Sequence, residues 1–117
     1  MINRINKNEE RLDKILLNIK NIGEELDKFN LYIKEIKELN KYYGSNDWFD
    51  DRESYDNNKI PKIKAGVLSE DAIWNMNEEI SYLIDTMKNT IKELEKLKKW
   101  YNNHGDFYEK SFNRNNK

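Results

Sequence analysis

Two long segments of this chain repeat apolar residues at alternating spacings of three and four, and no other feature constrains the fold as strongly. In the first segment the repeat runs through Ile5, Leu12, Ile15, Ile19, Ile22, Leu26, Phe29, Ile33 and Ile36. In the second it runs through Ile73, Met76, Ile80, Leu83, Met87, Leu94 and Leu97. Such spacing places the apolar side chains on one stripe of an α-helix, and that stripe needs a partner. The pattern therefore predicts an all-α protein.

Local signals set the boundaries of the two helices. We expect helix one over about residues 6–43, a connector over 44–68, helix two over about 70–101, and a polar, Asn-rich tail over 102–117. Ser69 is a favourable N-cap for helix two, and Glu70 and Asp71 place negative charge near its N-terminus. Gly23 lies beside the stripe of helix one, where it is either tolerated or marks a break. We interpret residues 1–101 as one antiparallel helical hairpin domain.

Both stripes are wider than the seam of a two-stranded coiled coil. Leu16 and Tyr32 flank the first stripe, and Ile84 and Ile91 flank the second. A hairpin of two helices buries only the facing seam and leaves these flanks in water. Either the connector folds over them, or two hairpins pair as a four-helix bundle, and we favour the bundle with the connector covering one end. We therefore expect a homodimer.

Composition narrows the classes of function. Charged residues make up 37% of the chain, yet the formal net charge is −1, so no net field favours a nucleic-acid duplex or an anionic membrane. No apolar run is long enough to span a bilayer, and the first residues lack the apolar core of a signal peptide, which predicts a cytoplasmic protein. With no cysteine and one histidine, the chain has no disulfide, thiolate nucleophile or multi-His zinc site. We expect neither a metal nor a cofactor.

The connector concentrates the residues that are suited to binding. Ser45 or Asn46 is placed to cap a short helix through about Arg52. The candidate site residues are Tyr42, Tyr43, Trp48, Phe49, Arg52, Tyr55, Lys59, Lys62 and Lys64. Aromatic faces with nearby bases suit a small nucleotide-like anion, and they equally suit a hot spot for a protein partner. In a third interpretation, Trp48 and Phe49 plug the open end of the hairpin.

A run of residues in and around the connector resembles a known family. The matching positions are Tyr42-Tyr43-Gly44-Ser45, Trp48-Phe49, Asp51, Pro61 and Gly66-Val67-Leu68-Ser69-Glu70-Asp71-Ala72. They resemble the signature of a bacterial domain family of unknown function, numbered 4298, whose members are small, predicted all-helical proteins found mainly in Firmicutes. The resemblance is most specific over residues 42–74 and leaves out the tail. It implies a helical fold distinguished by the connector, and it implies no activity.

An enzymatic interpretation rests on paired acids. Glu10 with Asp13, and Glu35 with Glu38, superficially resemble the carboxylates of all-α metal-dependent nucleotide pyrophosphohydrolases. These acids fall opposite the apolar stripe, where they point toward water, and helix two offers no matching pair. We therefore expect a protein that is not an enzyme.

Two classes of binding function remain open. One is an interaction module, such as an inhibitor-like or immunity-like protein that occupies an unidentified protein partner. The other is a phage or bacterial sponge that sequesters a small anionic nucleotide signal as a counter-defence. The sponge predicts a pocket in which Arg or Lys converges on an aromatic wall, whereas the interaction module predicts an exposed apolar patch without a concavity.

Overall fold

The computed structural model describes residues 1–104, and every regular element in this part of the chain is helical. The elements are α1 (Ile2–Leu31), α2 (Ile33–Tyr42), α3 (Asn46–Asp56), a 3-10 helix (Gly66–Leu68) and α4 (Ala72–Asn103). No strand occurs among residues 1–104, which confirms the predicted all-α class. The predicted tail at 102–117 begins inside α4, and its part from residue 105 onward lies outside the described residues.

The helix predicted over residues 6–43 is not continuous, because it is interrupted at Tyr32. The Tyr32 amide donates to the carbonyl of Phe29 at 2.9 Å, three residues back rather than four. Its backbone stays in the right-handed region, at φ −88° and ψ −6°. This turn is therefore of the 3-10 type, with a hydrogen bond between residues three apart. The α-helix then resumes as α2, whose first turn includes a hydrogen bond from the Ile36 amide to the Tyr32 carbonyl at 2.9 Å.

Gly23, the position where a break was considered, lies inside α1 with helix on both sides. A Cβ added there has no heavy atom within 4 Å. The glycine is therefore tolerated, and neither a turn nor a close approach of another element requires it.

The predicted N-cap of the second long helix is wrong. The capping position of α4 is Asp71, and its side chain makes no capping hydrogen bond. The hydroxyl of Ser69 instead donates to the carbonyl of Gly66 at 2.9 Å, and the Ser69 amide bonds to the same carbonyl at 3.1 Å. Ser69 thus closes the 3-10 helix, two residues before the capping position of α4.

The chain divides into two compact units, Met1–Ser69 and a second unit that begins at Glu70. In each unit the long helix leaves its apolar stripe exposed along much of its length. None of the helices among residues 1–104 combines the length and the apolar character needed to cross a bilayer. The antiparallel hairpin and the four-helix dimer stay predictions.

Candidate binding site in the connector

The connector begins with a tight turn that only glycine adopts easily. Tyr43 has φ −58° and ψ 121°, Gly44 has φ +75°, and the Ser45 amide donates to the Tyr42 carbonyl at 3.0 Å. These values define a type II β-turn, whose third residue needs a positive φ. The turn ends α2 and directs the chain into α3.

Ser45 caps α3, as its sequence position predicts. Its backbone is extended, and its hydroxyl oxygen accepts a hydrogen bond from the Trp48 amide at 3.2 Å. The same hydroxyl donates to the Tyr42 carbonyl at 2.6 Å. One side chain therefore joins the end of α2 to the start of α3, and it fixes the residue from which the Trp48 side chain extends.

Trp48 is the buried centre of the connector, with 3% of its surface exposed. Its indole Nε1 donates to the carbonyl of Val67 at 2.8 Å. The rings of Tyr43 and Phe49 meet it edge to face, at centroid distances of 5.3 Å and 4.9 Å. These contacts satisfy the polar atom of the indole and enclose its apolar surface. Trp48 is therefore buried within the connector, whereas its role as a plug of a hairpin end stays a prediction.

Phe49, unlike Trp48, lies mostly at the surface. It is 57% exposed, although one edge of its ring contacts Trp48. Successive residues of a helix point about 100° apart, so Trp48 and Phe49 cannot both face the same core. This exposure does not fit the interpretation in which Phe49 is a buried plug, and it leaves the ring available at the surface.

Arg52 lies one turn after Trp48 on the same face of α3. Its guanidinium carbon is 5.4 Å from the centroid of the Trp48 ring, and its Nε is 3.9 Å from Oδ2 of Asp56. The three residues are spaced at four-residue intervals, so they form a row along the helix. Sequence reasoning missed Asp56 as the acid beside Arg52, although this spacing was visible.

Tyr42 makes a short side-chain hydrogen bond to α3. Its phenol donates to Oδ2 of Asp51 at 2.6 Å, which links the end of α2 to the middle of α3. This hydrogen bond, with smaller contributions from burial and from the charges of Asp51 and Asp47, raises the pKa of Tyr42 from 10.0 to about 12. Tyr42 thus acts in the fold as a donor, and sequence reasoning had not identified Asp51 as its acceptor.

The chain leaves α3 through a Schellman motif. Asn58 has φ +58°, its amide donates to the Tyr55 carbonyl at 3.2 Å, and the Lys59 amide donates to the Ser54 carbonyl at 2.8 Å. This is the pattern that closes a helix on a left-handed residue, and Asn is the side chain that tolerates it best after Gly. The motif turns the chain back toward the start of α3.

The returning segment is attached to α3 at two points. The phenol of Tyr55 donates to the carbonyl of Ile63 at 3.4 Å, and two turns earlier on α3 the indole of Trp48 donates to Val67. Tyr55, which comes later in α3, thus contacts Ile63, which comes earlier in the returning segment. The segment therefore runs antiparallel to α3. Lys62 places its ammonium nitrogen 5.4 Å from the centroid of the Tyr55 ring.

The nine predicted site residues thus separate into three groups. Tyr43, Trp48, Phe49 and Arg52 form one cluster, which we call the aromatic cluster. Tyr55 and Lys62 form a second pair, roughly 10 Å further along α3, because seven helical residues separate Trp48 from Tyr55. The remaining three are Tyr42, held by Asp51, and the exposed Lys59 and Lys64.

This arrangement determines what the connector can do chemically. Arg52 and Lys62 each lie over a different aromatic ring, so the two bases do not converge on one point. Among residues 1–104, no group of three or more His, Asp or Glu residues is placed to hold a metal ion. The connector therefore presents an ordered surface of aromatic and basic side chains.

Comparison with known proteins identifies a family. No curated protein and no solved structure matches the chain. The model of a family described as a domain of unknown function, DUF4298, matches residues 5–89. That match includes α1 from residue 5 onward, α2, the whole connector and the first half of α4. The chain belongs to the DUF4298 family.

Proposed function

We propose that this protein is a non-enzymatic interaction module, inhibitor-like or immunity-like, that binds a protein partner through its connector. The observation that carries the proposal is the aromatic cluster, in which buried Trp48 supports the exposed ring of Phe49. An ordered aromatic residue beside an arginine is typical of the residues that contribute most to the affinity of protein interfaces. Since Trp48 already fixes this surface, little conformational entropy is lost when a partner binds.

The position of the bases favours a protein partner over a small anion. A nucleotide phosphate is best held by bases that converge on it, and two helical turns separate the ring under Arg52 from the ring under Lys62. Exposed apolar residues accompany the bases instead, since Phe49, Ile63 and Val67 all present their side chains to solvent. A mixed apolar and basic surface of this kind suits a protein patch that combines apolar and acidic side chains.

The proposed module acts as a homodimer. The exposed stripes on α1 and α4 support this part of the proposal, because a soluble monomer rarely leaves apolar surface of this extent in water. A dimer that covers the stripes still leaves the connector free to bind its partner.

A binding comparison tests the role of the connector. Wild-type protein and two variants, Phe49→Ala and Leu17→Ala, are used as affinity baits in extracts of the native host. The control is matched, since Phe49 and Leu17 are 57% and 58% exposed and only Phe49 lies in the connector. We expect Phe49→Ala to lose a partner that wild-type protein and Leu17→Ala both retain. If all three retain the same partner, the site is wrongly placed.

Charge variants test the bases in the same assay. We expect Arg52→Gln with Lys62→Gln to reduce partner retention at least tenfold while Tm changes by no more than about 3 °C, since each base contributes only a surface interaction to stability. The control is Lys20→Gln with Lys34→Gln, two exposed lysines on α1 and α2. Loss of binding in the control alone would place the site on the helices.

A ligand screen distinguishes the interaction module from the nucleotide sponge. Purified protein is heated in the presence of mono-, di- and cyclic nucleotides, and its Tm is compared with that of the free protein. We expect no shift. A nucleotide that raises Tm in the wild type and not in Arg52→Gln with Lys62→Gln would replace the interaction module by the sponge.

A further inference from the structure

The segment that returns along α3 carries a positive charge of its own. Residues 57–69 contain no acid and three lysines, which are Lys59, Lys62 and Lys64. All three side chains are exposed, and among residues 1–104 none of their ammonium groups forms an ion pair. The neighbouring helix α3 has the opposite balance, with five acids and one base. We call residues 59–64 the basic segment.

The end of the basic segment is close to an extended chain. Tyr55 donates to the carbonyl of Ile63, and Trp48 donates to that of Val67. The two donors are seven helical residues apart, which is roughly 10 Å, and four residues of the returning segment cover this distance. Four residues cover about 6 Å in a helix and about 13 Å when fully extended. Since Val67 already lies in the 3-10 helix, most of the extension falls on the residues before it.

This extended stretch has an unpaired backbone edge. Successive residues of an extended chain direct their amide and carbonyl groups to opposite sides. The carbonyl of Ile63 is directed toward α3, where it accepts from Tyr55, so the groups of Lys62 and Lys64 are directed to the other side. Within residues 1–104, the amides and carbonyls of these two lysines bond to no protein atom. The edge therefore offers two donors and two acceptors.

We propose that an extended segment of the partner protein, with acids at two alternate positions, adds to this edge as an antiparallel strand. The inference rests on the proposed function and names how the partner is recognised. Backbone hydrogen bonds to Lys62 and Lys64 supply the attachment, as they do where peptides add to the edge of a sheet. Side chains directly opposite each other interact, so an acid lies opposite each lysine and an apolar residue lies opposite the exposed Ile63. The recognised pattern is acid, apolar, acid.

Neither a second copy nor a long helix of the chain suits this edge. A second copy sets lysine against lysine, and its Pro61 has no amide to donate. Lysine and proline are among the residues that keep natural strand edges from pairing with themselves. The helices α1 and α4 use their backbone groups internally, so neither of them can add as a strand. The charge and the backbone together select an extended acidic chain.

The acids of α3 restrict where such a chain lies. All five are exposed, and their charges repel an acidic partner segment from the surface of the helix. The lysines of the basic segment attract the same partner segment on the side that faces away from α3. Opposite charges on the two parts of the connector therefore direct the acidic strand to the unpaired backbone edge.

A synthetic peptide that alternates glutamate and valine tests the backbone pairing, with binding to the full-length protein measured by fluorescence anisotropy. Two isomers of the peptide carry N-methyl groups, either on the glutamate nitrogens or on the valine nitrogens. The glutamates lie opposite Lys62 and Lys64, so their methylation removes the donors that face the protein. We expect that isomer to bind roughly tenfold more weakly and the valine isomer to bind like the parent peptide. If both isomers bind equally, strand addition is overturned.

Charge changes test the acidic character of the strand. We expect Lys62→Gln with Lys64→Gln to weaken binding of the glutamate peptide roughly tenfold, and the control, Lys20→Gln with Lys34→Gln, to leave it unchanged. A peptide with lysine in place of glutamate should not bind. If the lysine peptide binds equally well, or if no peptide binds at millimolar concentration, the inference is overturned.

Failure of this inference is distinguishable from failure of the proposed function. The Phe49→Ala comparison uses the partner from the native host and does not depend on the peptides. If Phe49→Ala loses that partner while the glutamate peptide does not bind, the connector is still the site and only the strand addition is wrong. If all baits retain the same partner, the proposed function is wrong whatever the peptides do.

Discussion

The indole nitrogen of Trp48 donates to the backbone carbonyl of Val67 across 2.8 Å, although the two residues are 19 positions apart in the chain. This hydrogen bond ties the first turn of α3 to the 3-10 helix at the far end of the connector. The connector is therefore a closed structural unit rather than a loose link between helices.

Replacing Trp48 should destabilise the fold more than any other change in the connector. The side chain is 3% exposed, and removal of a buried Trp costs about 3–5 kcal/mol. Trp48→Phe keeps an aromatic ring but loses the bond to Val67, so we expect a smaller loss of about 1–3 kcal/mol. Urea unfolding followed by circular dichroism measures both values. Equal stability of Trp48→Ala and the wild type would mean that the indole does not support the connector.

Ionisation of Tyr42 should make the free energy of unfolding depend on pH in the alkaline range. Its pKa is raised from 10.0 to about 12, so the folded chain holds the phenol proton more tightly than the unfolded chain does. The resulting stabilisation is complete below about pH 10 and is lost as the pH rises to about 12.

Absorbance titration of the phenolates tests this directly. We expect one of the seven tyrosines to ionise near pH 12, and Tyr42→Phe to remove that step. The same variant should lose on the order of 0.5–1 kcal/mol of stability at neutral pH, since the bond to Asp51 lies partly in solvent. A step near pH 12 that persists in Tyr42→Phe would assign the raised pKa to another tyrosine.

Two glycines should respond in opposite directions to the same substitution. Gly23→Ala should raise the free energy of unfolding by up to about 1 kcal/mol, because the helix gains propensity and the added Cβ meets no atom within 4 Å. Gly44→Ala should lower it by about 1–2 kcal/mol, because φ +75° is strained for a side chain even where space is free. Thermal unfolding of the two variants, side by side, measures the contrast. If both substitutions change the free energy of unfolding in the same direction, the space around the added Cβ, rather than the backbone conformation, decides both effects.

Asn58 should tolerate glycine and reject a β-branched residue. Its φ of +58° closes α3, so Asn58→Gly should leave stability unchanged or slightly higher, and Asn58→Val should lower it by about 1–2 kcal/mol. The measurement is chemical unfolding. If Asn58→Val is as stable as the wild type, the left-handed conformation at the end of α3 is not required.

Local sequence signals predicted a large part of this structure. The heptad spacing indicated both long helical segments, and Ser45 or Asn46 was expected to cap the short helix that became α3, which Ser45 caps. Each of these signals depends on neighbours within a few residues. Ser69 shows the limit of such signals, because it ends the 3-10 helix, whereas the capping position of α4 is Asp71.

Other features depend on contacts that no local pattern reveals. The helix is interrupted at Tyr32 without a Gly or Pro there, so no residue of the sequence indicates the interruption. The carbonyl of Val67 is a backbone atom, and no side chain identifies it as the acceptor for Trp48. The nucleotide sponge calls for bases that converge on one ligand, but the helical spacing of Trp48 and Tyr55 holds Arg52 and Lys62 over separate rings.

The attachment of the returning segment to α3 also bears on how the chain folds. Its side-chain bonds join residues 8 and 19 positions apart, so only short loops have to close before the connector takes shape. Loops of this length close on a timescale of roughly 10–100 ns, whereas contacts between distant parts of a chain form more slowly. The connector is thus expected to fold early, and to be in place before the long helices find the surfaces that cover them.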